Sequence, residues 1–120
     1  MTDAPKPVGP YSPIVRAGDW LVTAGQLGVT PDGALADGIE AQTAQCMANL
    51  RTLFESQGAS MDRIVKTTVF LADIADWPKM NGPYEAALGD HRPARSAFAV
   101  GALPRGALVE IEAWAFVGEG

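Results

Sequence analysis

Two hydrophobic periods alternate along the chain and divide it into strands and helices. Short apolar or β-branched runs at 14–17 and 20–24 flank Gly18-Asp19, which predicts a β-hairpin. The second run continues into Gly25-Gln26-Leu27-Gly28, where two glycines predict backbone that something else approaches closely. Pro31-Asp32-Gly33 predicts a turn. From Asp37 the period changes. Cys46, Met47, Leu50, Leu53 and Phe54 recur at three- and four-residue steps, one apolar stripe on a helix expected over 38–57. Asp37 is its expected cap, with Glu40 returning a hydrogen bond, and Gly58 its left-handed end.

Residues 64–71 form the best strand by composition, with Val65, Thr67, Val69 and Leu71 expected on one face and Lys66, Thr68 and Phe70 on the other. A second helix is expected within 76–88. Pro83 has no amide to donate and Gly82 is a poor helix former, so this helix is expected to kink or to begin only near Asn81. Two strands, about 94–100 and 108–116, close the chain. In the last, Val109, Ile111, Ala113, Ala115 and Val117 share one face, and Leu108, Glu110, Glu112, Trp114 and Phe116 the other. Both faces carry groups that need burial, and two helices cover only one side of a sheet. The second face is therefore expected to meet another subunit, with polar sites at the interfaces.

A chain of 120 residues that is 48% hydrophobic suits a single domain over 1–120, folded continuously from about residue 8 to 117. Its net charge is −5 and its nine basic residues are scattered, which disfavours nucleic-acid binding. One cysteine excludes an internal disulfide, and one Cys with one His cannot make a zinc site. No metal or cofactor is expected. The first residues lack a signal-peptide pattern and no run is long enough to span a bilayer, so the expectation is a soluble protein of the cytoplasm.

The candidate chemistry lies in the closing strands, where Arg95, Glu110 and Glu112 interrupt apolar patterns. A charge in such a strand must be paired, solvated in a cleft or neutralised. Two readings of Arg95 stand side by side, a surface ion pair with an acidic neighbour and a bidentate clamp on a substrate carboxylate. Glu110 and Glu112 are neighbours on one strand face, and two solvated edge carboxylates would carry no chemistry. Tyr11 is read as a packed turn residue or as a catalytic acid, His91 as a loop residue, and Cys46 as core.

Gly9-Pro10-Tyr11-Ser12, Ala24-Gly25-Gln26, the 65–71 strand, Asn81 with Tyr84, Pro93-Ala94-Arg95-Ser96 and Val109-Glu110-Ile111-Glu112-Ala113 together resemble the reactive intermediate deaminase (Rid) family, also called YjgF or endoribonuclease L-PSP. The resemblance implies an α+β, chorismate-mutase-like subunit: a six-stranded mixed sheet with two helices on one face. It further implies a homotrimer around a central barrel, with ligand sites between subunits. The implied activity is hydrolysis of enamines and imines such as 2-aminoacrylate to 2-oxo acids and ammonia, without metal or organic cofactor. By the same resemblance Arg95 would bind the substrate carboxylate and Glu110 would orient water. Tyr11, Gly25 and Gln26 would shape the pocket, with Asn81 and the Ala97 position as further substrate contacts. Ala97 stands where the family often has Cys, which leaves the substrate range open. A module that binds small 2-oxo or amino acids without turnover is the alternative, and a ribonuclease the third reading. A carboxylate close to Arg95 tilts towards catalysis, because a pure anion site gains nothing from a nearby negative charge.

Overall fold

The computed structural model describes residues 6, 7 and 9–119, so residue 8, where the fold was expected to begin, lies outside the described residues. Strands β1 (Ile14–Ala17) and β2 (Trp20–Thr23) form the expected hairpin. Gly18 takes φ 60°, which spares the two-residue turn a Cβ clash. The short β3 (Gln26–Leu27) follows, then helix α1 (Ile39–Ser56), β4 (Ile64–Leu71), α2 (Trp77–Leu88), β5 (Ala94–Ala99) and β6 (Val109–Phe116).

Six strands make one mixed sheet in the order β1-β2-β6-β4-β5, with β3 also paired to β6. β4 and β5 run parallel, joined by α2 as crossover, and every other pairing is antiparallel. Both helices pack on one face. There Met47, Leu50 and Phe54 of α1 and Met80 and Tyr84 of α2 close over Val69, Leu71, Val109, Ile111, Ala113 and Ala115. Cys46 lies in this core as expected, where burial, and then the charge of Glu110, push its thiol pKa up. The other face of the sheet carries Trp20, Phe70, Phe98, Trp114 and Phe116, paired edge to face. Phe98 and Trp114 are each 44% exposed, so this face remains open in a single chain.

Four local expectations need correction. Asp37 does not cap α1. The N-cap is Gly38 at φ 90°, without a side-chain cap bond, and the first helical bond runs from Gln42 N to Gly38 O. The capping box with Glu40 is therefore not formed. The other end is as expected, since Gly58 (φ 74°) and Ala59 donate to Glu55 O and Phe54 O in a Schellman closure. Val65 does not join the buried face of β4, because the register against β6 shifts between Ile64 and Lys66 and turns it outward. Helix α2 starts at Trp77 rather than near Asn81, since Pro78 occupies its first turn, where a missing amide costs nothing, and it continues through Pro83. Tyr11 is not packed but 48% exposed.

Candidate functional site

Strand register decides where the charged residues point. In the parallel β4/β5 pair Arg95 stands beside Thr67 and Ala97 beside Val69, both partners being buried under the helices. Arg95 and Ala97 thus share the helix face. In the β4/β6 pair Glu110 stands beside Phe70 and Glu112 beside Thr68, on the open face. Arg95 and Glu110 are therefore not neighbours within one subunit. They project from opposite sides of the sheet, on strands separated by β4. Their separation is set by pairings between strands that are distant in sequence.

On the helix face Arg95 sits in a neutral cradle. Its Nη1 donates to Asn81 Oδ1 at 2.9 Å and lies 4.0 Å from Met80 Sδ, while its guanidinium carbon is 4.9 Å from the centre of the Tyr84 ring. Tyr84 is fixed in turn, its hydroxyl 2.7 Å from Thr67 Oγ1 in the core. Asn81 and Tyr84, three apart on α2, reach the same spot because that spacing returns to one helix face. These residues, with Pro93 and the ion-paired Arg92 and Glu85, line a cavity of about 320 Å³. Among the described residues Arg92–Glu85 is the one ion pair, so the reading of Arg95 as a surface pair with an acidic neighbour is not what the fold builds. Ala97 lies two residues along, against the edge of the core.

On the other side of the sheet Glu110 is half-buried, and its pKa is raised above the ordinary carboxylate range, first by burial and second by the charge of Glu112. A Cβ on Gly25 would lie 2.0 Å from Glu110 Oε2, so only glycine leaves room for the carboxylate there. Gly28 is bare for a different reason, since a Cβ would meet Gln42 Cα of α1 at 2.6 Å. The two glycines predicted to allow close approach each do so. Gly25, the buried Gln26 and Tyr11 line a second cavity, of about 110 Å³, which Asn49 of α1 also lines and Glu110 does not. Gln26 Nε2 donates to Ala24 O at 3.3 Å. Two side chains of α1 hold this region in place. Asn49 Nδ2 donates to Leu27 O and Val29 O, and Gln42 Oε1 accepts from Leu108 N, two residues before Glu110.

His91 is a loop residue as expected, its Nε2 2.7 Å from Ile64 O. Sequence reasoning did not single out Thr67, Arg92 or Arg105, and named Tyr84 only through a family pattern. The helical spacing of Asn81 and Tyr84 was the available signal for a shared site. For Arg105 it was an arginine set between Pro104 and Gly106. Among the described residues no group of three or more His, Cys, Asp and Glu side chains could hold a metal ion, and no helix is long and apolar enough to cross a membrane.

The chain matches the family model described as Endoribonuclease L-PSP over residues 1–117. It is 42% identical over 116 residues to a RutC family protein of Pyrococcus horikoshii, covering 95% of this chain and 92% of that one. It is 40% identical to a protein of Salmonella typhimurium named 2-iminobutanoate/2-iminopropanoate deaminase, covering 92% of this chain and 90% of the relative. The crystal structure of RidA from an Antarctic Psychrobacter superposes with a TM-score of 0.93 at 37% identity, covering 98% and 96% of the two chains. Sequence and fold agree over nearly the whole length, and the chain belongs to the endoribonuclease L-PSP family, the Rid or YjgF proteins.

Proposed function

We propose that this protein hydrolyses the imine and enamine forms of 2-amino acids to 2-oxo acids and ammonia. The observation that carries this reading is the neutral cradle of Arg95. Asn81, Tyr84 and Met80 fix the guanidinium without cancelling its charge, so a planar fork is left for a carboxylate. Relatives about 40% identical that are named 2-iminobutanoate/2-iminopropanoate deaminase support the same chemistry.

Because Arg95 and Glu110 face opposite ways, the site needs two copies of the chain. One copy gives the Arg95 cavity, and its neighbour gives Glu110 with Gly25, Gln26 and Tyr11. Two different surfaces meeting head to tail form a heterologous contact, which makes a ring when its rotation closes. Three copies are the closure that the family resemblance implies, and the exposed aromatic face would be covered in it.

In this site Arg95 holds the substrate carboxylate and Glu110 holds water against the imine carbon. The oxygen of water bonds to that carbon and the carbon–nitrogen bond breaks. Nitrogen leaves as ammonia, having gained both protons of the water. A carboxyl whose pKa is raised by burial is suited to taking one of those protons and returning it. The imine is already electrophilic, so positioning supplies most of what the reaction needs. The net charge of −5 weighs against a ribonuclease.

The test is to generate imines with an amino-acid oxidase and to follow 2-oxo acid formation against semicarbazide trapping. Faster formation with catalytic amounts of protein supports the reading. Binding of 2-oxo acids with no acceleration would replace it with the sensor.

A further inference from the structure

The cavity that Gly25 lines has a charge pattern that imine hydrolysis alone does not require. Among the described residues its lining includes two cations, Lys6 and Arg105, and no Asp or Glu. Its walls are otherwise largely apolar, with Pro13, Leu27, Val29 and Pro104 among them. In a chain of net charge −5 this is an electropositive end on an apolar slot. The volume of about 110 Å³ is several times the roughly 10–15 Å³ that one water needs.

Arg105 is held there in a costly backbone conformation. Among the described residues it is the one non-glycine with positive φ, at 60°, and Gly106 follows at 67°. Its Nη2 donates to Gly33 O at 3.0 Å, which ties the 104–106 turn to the turn at 31–33. That bond uses one of five guanidinium N–H groups and leaves the charge uncancelled. A strained residue kept in place by a long-range bond is characteristic of ligand clamps.

We infer that this cavity receives the side chain of the substrate, and that the preferred substrates are imines of dicarboxylic amino acids. The inference rests on the deaminase reading above and deepens it. With the first carboxylate on a neighbouring Arg95 and the imine carbon at Glu110, Gly25 sets the direction. A Cβ there would meet the Glu110 carboxylate, and the same residue lines the cavity, so a side chain leaving the imine carbon would run into the slot. A short methylene arm meets the apolar walls, and its terminal carboxylate meets Arg105, with Lys6 adding to the positive field.

The experiment compares imines generated from glutamate and from leucine in the semicarbazide assay, for the intact protein and for Arg105→Gly. Glycine takes φ 60° freely, so this variant removes the guanidinium without adding strain. The expected result is a kcat/KM for the glutamate imine at least about tenfold above that for the leucine imine, with Arg105→Gly lowering that ratio about tenfold and Arg105→Lys restoring part of it. A second measurement needs no turnover: calorimetric titration with 2-oxoglutarate and 2-oxobutanoate, where the intact protein is expected to prefer the former and Arg105→Gly to lose the preference. A ratio and a preference that Arg105→Gly leaves unmoved overturn the inference while the deaminase reading stands. Hydrolysis of neither imine overturns the deaminase reading instead, and the titration then decides the role of the cavity by itself.

Discussion

Arg95 and Glu110 lie on the two strands that flank β4 and point to opposite faces of the sheet. A site that uses both must draw them from different copies of the chain, which a mixing experiment can detect. Arg95→Ala and Glu110→Gln should each be nearly inactive alone. When the two variants are unfolded together and refolded at equal amounts, sites with Arg95 from one copy and Glu110 from its neighbour reappear. Random assembly of a head-to-tail ring restores at most roughly a quarter of wild-type activity. Recovery near zero would place both groups in one subunit, against the register seen here. Light scattering on the wild type checks the accompanying ring, and a monomer at micromolar concentration would remove the interface altogether.

The pH dependence of stability should report on Glu110. Burial first and Glu112 second raise its folded-state pKa above the ordinary value of 4.5, so the folded protein favours the protonated acid. A raised acid contributes stability that is fully present below its unfolded pKa and is lost as pH rises through the folded pKa. Glu110→Gln has no such loss. The variant should therefore melt at a higher temperature than wild type at pH 7 to 8, and the gap should close on acidification below about pH 4.5. Thermal melts across this range would decide it, and a variant less stable than wild type at neutral pH would show that the Glu110 charge is compensated by another group. Its kcat should fall while 2-oxo acid binding is kept, since removing a negative charge relieves repulsion of the anion.

Much of this arrangement was legible in the sequence, because local period and composition mark elements directly. The β-branched run at 64–71 is β4 as read, and the stripe through Met47, Leu50 and Phe54 is α1 to within a residue at either end. What escaped was set by partners far along the chain. The outward turn of Val65 comes from a register shift against β6, and the face of Arg95 from its parallel pairing with β4. Neither pairing leaves a trace in the local pattern. Pro83 was given too much weight for the start of α2, since the helix begins at Trp77 and runs on through it. The glycines were more informative, since close approach was expected at both Gly25 and Gly28 and each has its own neighbour.

That difference in neighbours separates two alanine substitutions. At Gly25 the obstacle is the end of a flexible glutamate, so Gly25→Ala should fold with a small loss of stability, displace the Glu110 carboxylate and lower kcat by tenfold or more. At Gly28 the obstacle is the backbone of α1, with Gln42 Cα and O both at 2.6 Å. Gly28→Ala should cost about 1–3 kcal/mol by overpacking and reduce activity only in proportion to the folded protein lost. Thermal melts and kcat on the soluble fraction separate the two, and equal stability losses would contradict the assignment of Gly25 to the site.

The Thr67–Tyr84–Arg95 stack predicts two separable effects. Thr67 Oγ1 and Tyr84 Oη satisfy each other in the core, so Thr67→Val or Tyr84→Phe leaves one buried hydroxyl unpaired, at about 1–3 kcal/mol each. The double variant removes both hydroxyls and should cost no more than the worse single, an interaction that a double-mutant cycle measures. Activity should follow the ring rather than the hydroxyl. Tyr84→Phe keeps the surface beneath the guanidinium and should leave kcat/KM within a few fold. Arg95→Ala removes two charge-assisted bonds of roughly 1.5–3 kcal/mol each and should lower kcat/KM by at least about a hundredfold. Arg95→Lys keeps the charge but not the fork, and should recover only part of that loss, mainly as a raised KM. Full activity in Arg95→Lys would mean that a point charge suffices, and that the fork held by Asn81 and Tyr84 is not what binds the carboxylate.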